Sequence, residues 1–127
     1  MDARLSEGIR LFNAGEFFAA HQILEELYLQ TAAEEDKPFL EALVELAVAF
    51  RLYADLGEVR GVVRMIHQAL IRLEPYHPSY LSIRVDKLSR ALEDWTQRVS
   101  AAGAGAAAMR ASIPKIRTAL GFFADRG

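Results

Sequence analysis

Apolar residues recur every three or four positions along most of the chain, and strict alternation of apolar and polar residues is almost absent. The first spacing places apolar side chains on one face of a helix, whereas alternation is typical of strands. The pattern therefore predicts an all-α protein, a compact bundle of about five to six helices.

Glycine and proline mark where the predicted helices end and begin. Gly15 and Gly57 each follow an apolar helical stretch, and glycine tolerates the left-handed backbone of a helix end. Pro38 suits the first turn of the next helix because it has no N–H to leave unpaired. The resulting helices are 4–13, 16–31, 38–56, 58–73 and 79–99.

The third predicted helix, 38–56, is apolar on most of its circumference. Its charged residues are Glu41, Glu45, Arg51 and Asp55. Such a helix is packed by neighbours on several sides, so we expect it to be the largely buried centre of the bundle. The four charges also argue against a membrane span, which needs about 20 residues with few charges.

Two parts of the chain are expected, a helical bundle domain over 1–100 and a separate segment over 101–127. Residues 101–106 are alanine and glycine only, which predicts a flexible joint. Ser112 and Pro114 suit the cap and first turn of a short helix that docks on the bundle. The apolar side of this helix would consist of Ile113, Ile116, Leu120 and Phe123.

A weak internal repeat allows a second architecture. Aligning Gly15 with Gly57 superimposes Gly-Glu-Phe-Phe-Ala-Ala on Gly-Glu-Val-Arg-Gly-Val, and the helix–Gly–helix unit resembles tetratricopeptide pairs. The offset of 42 residues departs from the tetratricopeptide period of about 34, and such scaffolds need about three units. A simple bundle is preferred, and a tetratricopeptide-like peptide-binding scaffold is an alternative.

Composition excludes several functional classes. With 127 residues, 52% hydrophobic and 25% charged, the chain is typical of one folded domain. The net charge of −2 argues against a nucleic-acid partner, and the absence of cysteine excludes disulfides and thiolate sites. The first residues lack a secretory signal pattern, so we expect a cytoplasmic protein with no membrane partner.

The second predicted helix, 16–31, carries a polar pair on its apolar face. In helical projection His21 falls between Phe17 and Leu24, near the middle of that face, and Glu25 follows one turn later. Burial of either group without a partner costs about 1–3 kcal/mol, so each should have one. The candidates are the other member of the pair, a water, Glu41, Glu45, His67 or a metal ion.

The pair allows two interpretations, a structural hydrogen bond that fixes helix register and a metal site. Imidazole and carboxylate are normal ligands of zinc, iron and manganese. Two ligands are too few, however, and Glu25 stands where the His-Glu-x-x-His motif has its second histidine. The serine and threonine residues show no nucleophile motif, and no glycine-rich phosphate loop precedes a helix.

Three blocks of the sequence resemble a known family. The first is Phe12-Asn-Ala-Gly-Glu-Phe-Phe-Ala-Ala-His-Gln-Ile-Leu-Glu-Glu-Leu-Tyr28, and the others are Phe39-Leu-Glu-Ala-Leu-Val-Glu-Leu-Ala-Val-Ala49 and Gly57-Glu-Val-Arg-Gly-Val62. They are similar, in the same order, to blocks of the domain of unknown function 309 family. The resemblance covers roughly residues 5 to 75.

This resemblance implies a compact helical bundle in a family often described as predicted metal-dependent hydrolases. It implies a polar groove of His21, Glu25, Tyr28 and Glu45, with His21 and Glu25 as candidate ligands of a divalent metal ion. Gln22 and Tyr28 depart from the family's Glu and Trp. No histidine corresponds to the one that many members carry near the end of the third helix.

We therefore expect a cytoplasmic helical-bundle protein that uses a groove around His21 and Glu25 for structure or for binding a small molecule or protein. The alternative is a metal-dependent hydrolase in which His21, Glu25 and Glu45 serve as ligands or as general base. Self-association into a homo-oligomer is also expected, because the apolar seam of 81–99 and the last predicted helix both offer apolar surface.

Overall fold

The computed structural model describes residues 1–102 and 106–119, which form six α-helices. These are α1 (Ala3–Asn13), α2 (Phe17–Gln30), α3 (Lys37–Leu56), α4 (Arg60–Leu73), α5 (Val85–Ala102) and α6 (Ala106–Ala111). A single 3₁₀ turn, Glu34–Asp36, precedes α3, and another, Glu74–Tyr76, follows α4. The predicted all-α bundle is confirmed.

Consecutive helices pack against one another, with α3 between α2 and α4 and with α5 against α4. Residues on successive turns of α3, from Phe39 through Leu43 and Leu46 to Phe50, are completely buried. The prediction of a largely buried central helix is therefore confirmed. The helix is buried because neighbouring helices pack on both of its sides.

Phe50 of α3 joins four helices through its ring. Its centroid lies 5.8 Å from that of Phe12 in α1 and 5.9 Å from that of Phe17 in α2. It also lies 5.1 Å from Trp95 in α5, with the two rings nearly perpendicular. The pairs with Phe12 and Trp95 are edge-to-face, and such pairs contribute about 0.5–1.5 kcal/mol each beyond the apolar area they bury.

The helix ends follow the sequence signals. Gly15 and Gly57 adopt φ of +81° and +66°, the left-handed region that costs glycine little. The Asp2 side chain accepts hydrogen bonds from the backbone N–H groups of Arg4 and Leu5 at 2.7 and 3.3 Å, and so caps α1. Pro38 lies in the first turn of α3, as predicted.

The fifth helix begins later than the predicted start at Ser79. Leu81 and Ser82 have φ of +48° and +66°, and Tyr80 and Ile83 exchange backbone hydrogen bonds of 3.0 and 2.8 Å. These residues form a tight turn, so α5 starts at Val85. Leu81, at the start of the predicted apolar seam, is 36% exposed, and the seam that follows it is buried within the chain. Its members are Val85, Leu88, Leu92, Trp95 and Val99.

The C-terminal segment also differs from the prediction. Helix α6 begins at Ala106, the last residue of the predicted joint, and ends at Ala111, and residues 112–118 are not helical. The Asn13 side chain pairs with the backbone N–H and C=O of Ile116 at 2.7 and 2.9 Å, and Arg84 N–H donates to the Arg117 carbonyl at 2.8 Å. These tertiary hydrogen bonds replace helical ones and dock the segment on its own bundle. Leu120 and Phe123 lie outside the described residues.

Gly8 lets α1 and α2 approach closely. A Cβ atom at this position would lie 2.6 Å from Leu24 Cδ2 and 2.7 Å from Leu24 Cγ, inside the core. We expect Gly8→Ala to lower the free energy of unfolding by about 1–3 kcal/mol, even though alanine gains about 1 kcal/mol in helix propensity. Urea denaturation followed by circular dichroism measures the change.

Gly61→Ala is the matched control for Gly8→Ala. A Cβ there would meet the Glu58 carboxylate at 2.7 Å, but this group ends a flexible side chain that can move aside. We expect this variant to be as stable as the parent, within about 1 kcal/mol. Equal stability of the two variants would contradict the close packing of α1 on α2.

Candidate functional site

His21 and Glu25 pair with each other on α2. His21 Nε2 lies 2.7 Å from Glu25 Oε2, and the two residues are one helical turn apart. The His21 side chain is 25% exposed and that of Glu25 is 48% exposed. Of the possible partners named from the sequence, the structure therefore gives His21 and Glu25 to each other.

The structure places His21 at the margin of the buried face of α2. The buried line of this helix consists of Phe17, Ala20, Leu24 and Leu27. Ala20 and Leu24, in the middle of this line, are completely buried. The prediction that His21 lies in the middle of the apolar face is wrong, because helical projection does not show which line of the helix its neighbours approach.

One nitrogen of His21 is left without a partner. Nδ1 is inaccessible to solvent, and no hydrogen bond reaches it in the described structure. When Nε2 carries the proton that faces Glu25, Nδ1 is an acceptor without a donor. An unsatisfied buried polar atom costs about 1–3 kcal/mol, which offsets part of what the pair contributes to stability.

An exposed aromatic ring lies one turn before His21 on α2. The Phe18 side chain is 48% exposed, and the Arg51 guanidinium of α3 lies 4.2 Å from its ring centroid. Arg51 Nε is in turn 3.6 Å from Asp55 Oδ2. We refer to Phe18, His21, Glu25 and Arg51 together as the α2–α3 surface.

Glu45, the third predicted ligand, belongs to a different cluster. Arg72 of α4 donates to Glu45 Oε1 at 2.6 Å and approaches Glu41 Oε1 to 3.3 Å. Burial raises the pKa of Glu45, an effect that the Arg72 charge and hydrogen bond oppose. The structure thus pairs Glu45 with α4 rather than with α2.

Tyr28 lies two turns after His21, near the end of α2. Its ring is partly buried, and the Lys37 ammonium at the start of α3 lies 6.0 Å from the ring centroid. This contact joins the end of α2 to the start of α3, whereas Phe18 and Arg51 meet at the opposite ends of the two helices.

The acidic and histidine side chains do not fit a three-ligand metal centre. Across residues 1–102 and 106–119, no group of three or more histidine, aspartate or glutamate side chains is placed to hold a metal ion. His21 and Glu25 bond to each other, and Glu45 bonds to Arg72. We assign no reaction step to a metal here.

A further polar cluster was not predicted from the sequence. His77 Nε2 lies 3.1 Å from Ser89 Oγ and 3.9 Å from Glu74 Oε2. A catalytic triad would use Nδ1 for the carboxylate and Nε2 for the serine, but here both contacts are made by Nε2. No local motif signals this cluster, because the loop after α4 brings His77 onto α5.

No helix in the described part of the chain is long and apolar enough to cross a bilayer. This agrees with the charges in the third predicted helix, Glu41, Glu45, Arg51 and Asp55.

One family model matches the chain. The model described as domain of unknown function (DUF309) matches residues 5–65, which contain most of α1, all of α2 and α3, the first residues of α4 and the whole α2–α3 surface. The resemblance found from the sequence is confirmed over this range. No curated protein and no solved structure matches the chain significantly.

Removal of His21 should cost little stability. The pair is partly exposed, and exposed ion pairs contribute about 0–1 kcal/mol. We expect His21→Ala to change the free energy of unfolding by less than about 1 kcal/mol, instead of the 1–3 kcal/mol expected for a fully buried pair. Leu24→Ala on the same helix is the control and should cost about 2–5 kcal/mol. If urea denaturation showed comparable losses of stability for His21→Ala and Leu24→Ala, His21 would not lie at the margin of the buried face.

Arg72→Met should produce a pH-dependent loss of stability. The change removes the charge that opposes the raised pKa of Glu45, so that pKa rises further. A carboxyl group whose pKa is raised by folding destabilises the fold once the pH exceeds that pKa, and has no such effect below its unfolded value of about 4.3. We expect a loss of about 1–2 kcal/mol at about pH 7, allowing for solvent screening, that shrinks toward about pH 4.

Glu45→Gln in the Arg72→Met background tests the assignment to Glu45. The neutral amide cannot titrate, so the pH-dependent part of the loss should disappear in urea denaturation. If Arg72→Met lost the same free energy of unfolding at neutral and at acidic pH, Glu45 would not be the source of the loss.

Proposed function

We propose that this chain, which matches the model of the domain of unknown function 309 family over residues 5–65, is a binding module that holds a protein partner on its α2–α3 surface. One observation carries this proposal. The ring of Phe18 is half-exposed and lies under the guanidinium of Arg51 at 4.2 Å.

Aromatic residues and arginine are enriched at protein interfaces and at the positions that dominate binding energy. Phe18 is an aromatic residue in direct contact with the arginine Arg51 on the surface. The nearby Asp55 carboxylate, 3.6 Å from Arg51 Nε, restrains the guanidinium further. A side chain that is already ordered loses less conformational entropy on binding, which favours affinity.

The charges around the Phe18–Arg51 contact indicate the chemistry of the partner. Glu25 and Asp55 are 48% and 62% exposed, on either side of the Phe18–Arg51 contact along α2 and α3. A partner that inserts an apolar side chain against Phe18 and places lysine or arginine beside these carboxylates would match both the shape and the charge. We therefore propose a protein partner with a basic, partly apolar contact surface.

The two alternatives have less support. A metal-dependent hydrolase would need a third ligand beside His21 and Glu25, and Glu45 is bonded to Arg72 instead. A tetratricopeptide-like scaffold would need an extended concave surface, and the sequential packing of α1 to α4 is shared with a simple bundle. No specific contact favours either alternative.

Site-specific photo-crosslinking tests the proposed surface. A photoreactive phenylalanine analogue at position 18 should crosslink one discrete partner in the cells that make the protein. Leu29 is the control position, because it lies on the same helix and is 67% exposed. The partner should then be purified and titrated against the purified protein.

Arg51→Ala should weaken the purified complex at least about tenfold, because loss of a central interface arginine usually costs 2 kcal/mol or so. Arg64→Ala, an exposed arginine on α4, should leave the affinity unchanged. The proposal would be overturned if positions 18 and 29 gave the same crosslinked species, or if Arg51→Ala did not alter the affinity.

A further inference from the structure

The side of α4 that faces away from the core changes from basic to acidic along the helix. Its residues are spaced by alternating fours and threes, so they share one face, and all of them are exposed. Glu74 caps the helix with φ of −52° and ψ of −47°, so the face continues to that residue. We refer to these residues as the α4 outer line, and in chain order they are Arg60, Arg64, His67, Ile71 and Glu74.

The charges of the α4 outer line are almost unpaired within the protein. Arg60 and Arg64 form no ion pair within residues 1–102 and 106–119. The Glu74 side chain is 81% exposed, and its one ion-pair contact in the same residues is with His77, at 3.9 Å. Opposite charges at the two ends of one helix face can therefore pair with another molecule.

The order of these charges does not stabilise α4 itself. The helix macrodipole favours acidic residues near the N-terminus of a helix and basic residues near its C-terminus. The α4 outer line has the opposite order, with Arg60 in the first turn and Glu74 at the C-terminal cap. Helix stability therefore does not account for this arrangement, which leaves pairing across an interface as its physical use.

A groove of about 490 Å³ lies between α4 and α5, at the acidic end of the α4 outer line. Leu70, Ile71 and Pro75 form its apolar lining, and Ile71 is 73% exposed. Its charged residues among those described are Glu74 and Glu93. Such a groove fits an arginine side chain, because the aliphatic stem packs on apolar surface while the guanidinium pairs with carboxylates.

The α4 outer line is complementary to a second copy of itself. Arg64 precedes His67 by three residues, and Glu74 follows Ile71 by three residues. When two such helices run antiparallel about a two-fold axis midway between His67 and Ile71, Arg64 of each copy lies level with Glu74 of the other. The same axis places Ile71 against His67 at the centre, and every contact occurs twice.

From this self-complementary order of charges beside an acidic groove, we infer that two copies of the chain associate through antiparallel α4 helices. Arg64 of each copy enters the groove between α4 and α5 of the other, and its guanidinium donates to Glu74 and Glu93. The α4 outer line is separate from the α2–α3 surface. The inference therefore does not rest on the function proposed for that surface, and either can fail without the other.

Sedimentation equilibrium of the purified, untagged protein tests the inference. One helix face is small beside the roughly 1,600 Å² of a standard interface, so we expect a monomer–dimer equilibrium with a Kd of about 10–500 µM. A two-fold contact is closed, so no larger assembly should form. A monomer at every concentration up to about 1 mM, or growth beyond a dimer, would overturn the inference.

Charge reversal tests the pairing of Arg64 with Glu74. Arg64→Glu and Glu74→Arg each bring like charges together in both copies of the contact, so each should weaken the dimer at least about tenfold. The double variant exchanges the two charges and should dimerise at least about threefold more tightly than either single variant. Both positions are exposed, and circular dichroism should show that all three variants are folded.

Lys87→Glu is the matched control for Arg64→Glu. It makes the same change of net charge at an exposed position of α5 outside the groove, and it should dimerise as the parent does. Equal weakening by Lys87→Glu would reveal a general effect of net charge and contradict the inference. A dimer that both single reversals leave intact would use another face, and a double variant no tighter than the single ones would contradict the antiparallel pairing.

Discussion

The contacts of Phe50 are the constraint on which the rest of the structure depends. Its ring meets Phe12, Phe17 and Trp95, and so ties α1, α2 and α5 to the central helix. These contacts fix the rotation of α2 about its own axis. Since neighbouring helical residues point about 100° apart, the inward position of Phe17 sends Phe18 outward. Phe17 is accordingly 7% exposed and Phe18 48% exposed.

The α2–α3 surface borders the apolar line that this rotation creates along α2. Phe18 and His21 lie at one end of that line beside α3, with Arg51 on the aromatic ring. The close approach of α1 at Gly8 supports the same line from the other side. Changes in the core that rotate α2 would therefore alter the α2–α3 surface.

The first four helices could be predicted from the sequence because their signals are local. Apolar spacing, Gly15, Gly57 and Pro38 act within a few residues of the helix ends they determine. The late start of α5 and the non-helical 112–118 segment could not be predicted in this way. Asn13 binds the backbone of Ile116, 103 residues away, and no periodicity in the sequence contains that partner.

The sequence by itself determined the helical class, the central helix and the family resemblance, because these depend on local spacing and motifs. It left the i, i+4 pairing of His21 with Glu25 as one of several possibilities, and the structure selected it. The tertiary structure decided which side of each helix its neighbours cover. It placed His21 at the margin of the buried face of α2, and it paired Glu45 with Arg72 of α4. Spacing specifies the relative positions of side chains on a helix, but only the packing of the whole core specifies how that helix is turned toward the others.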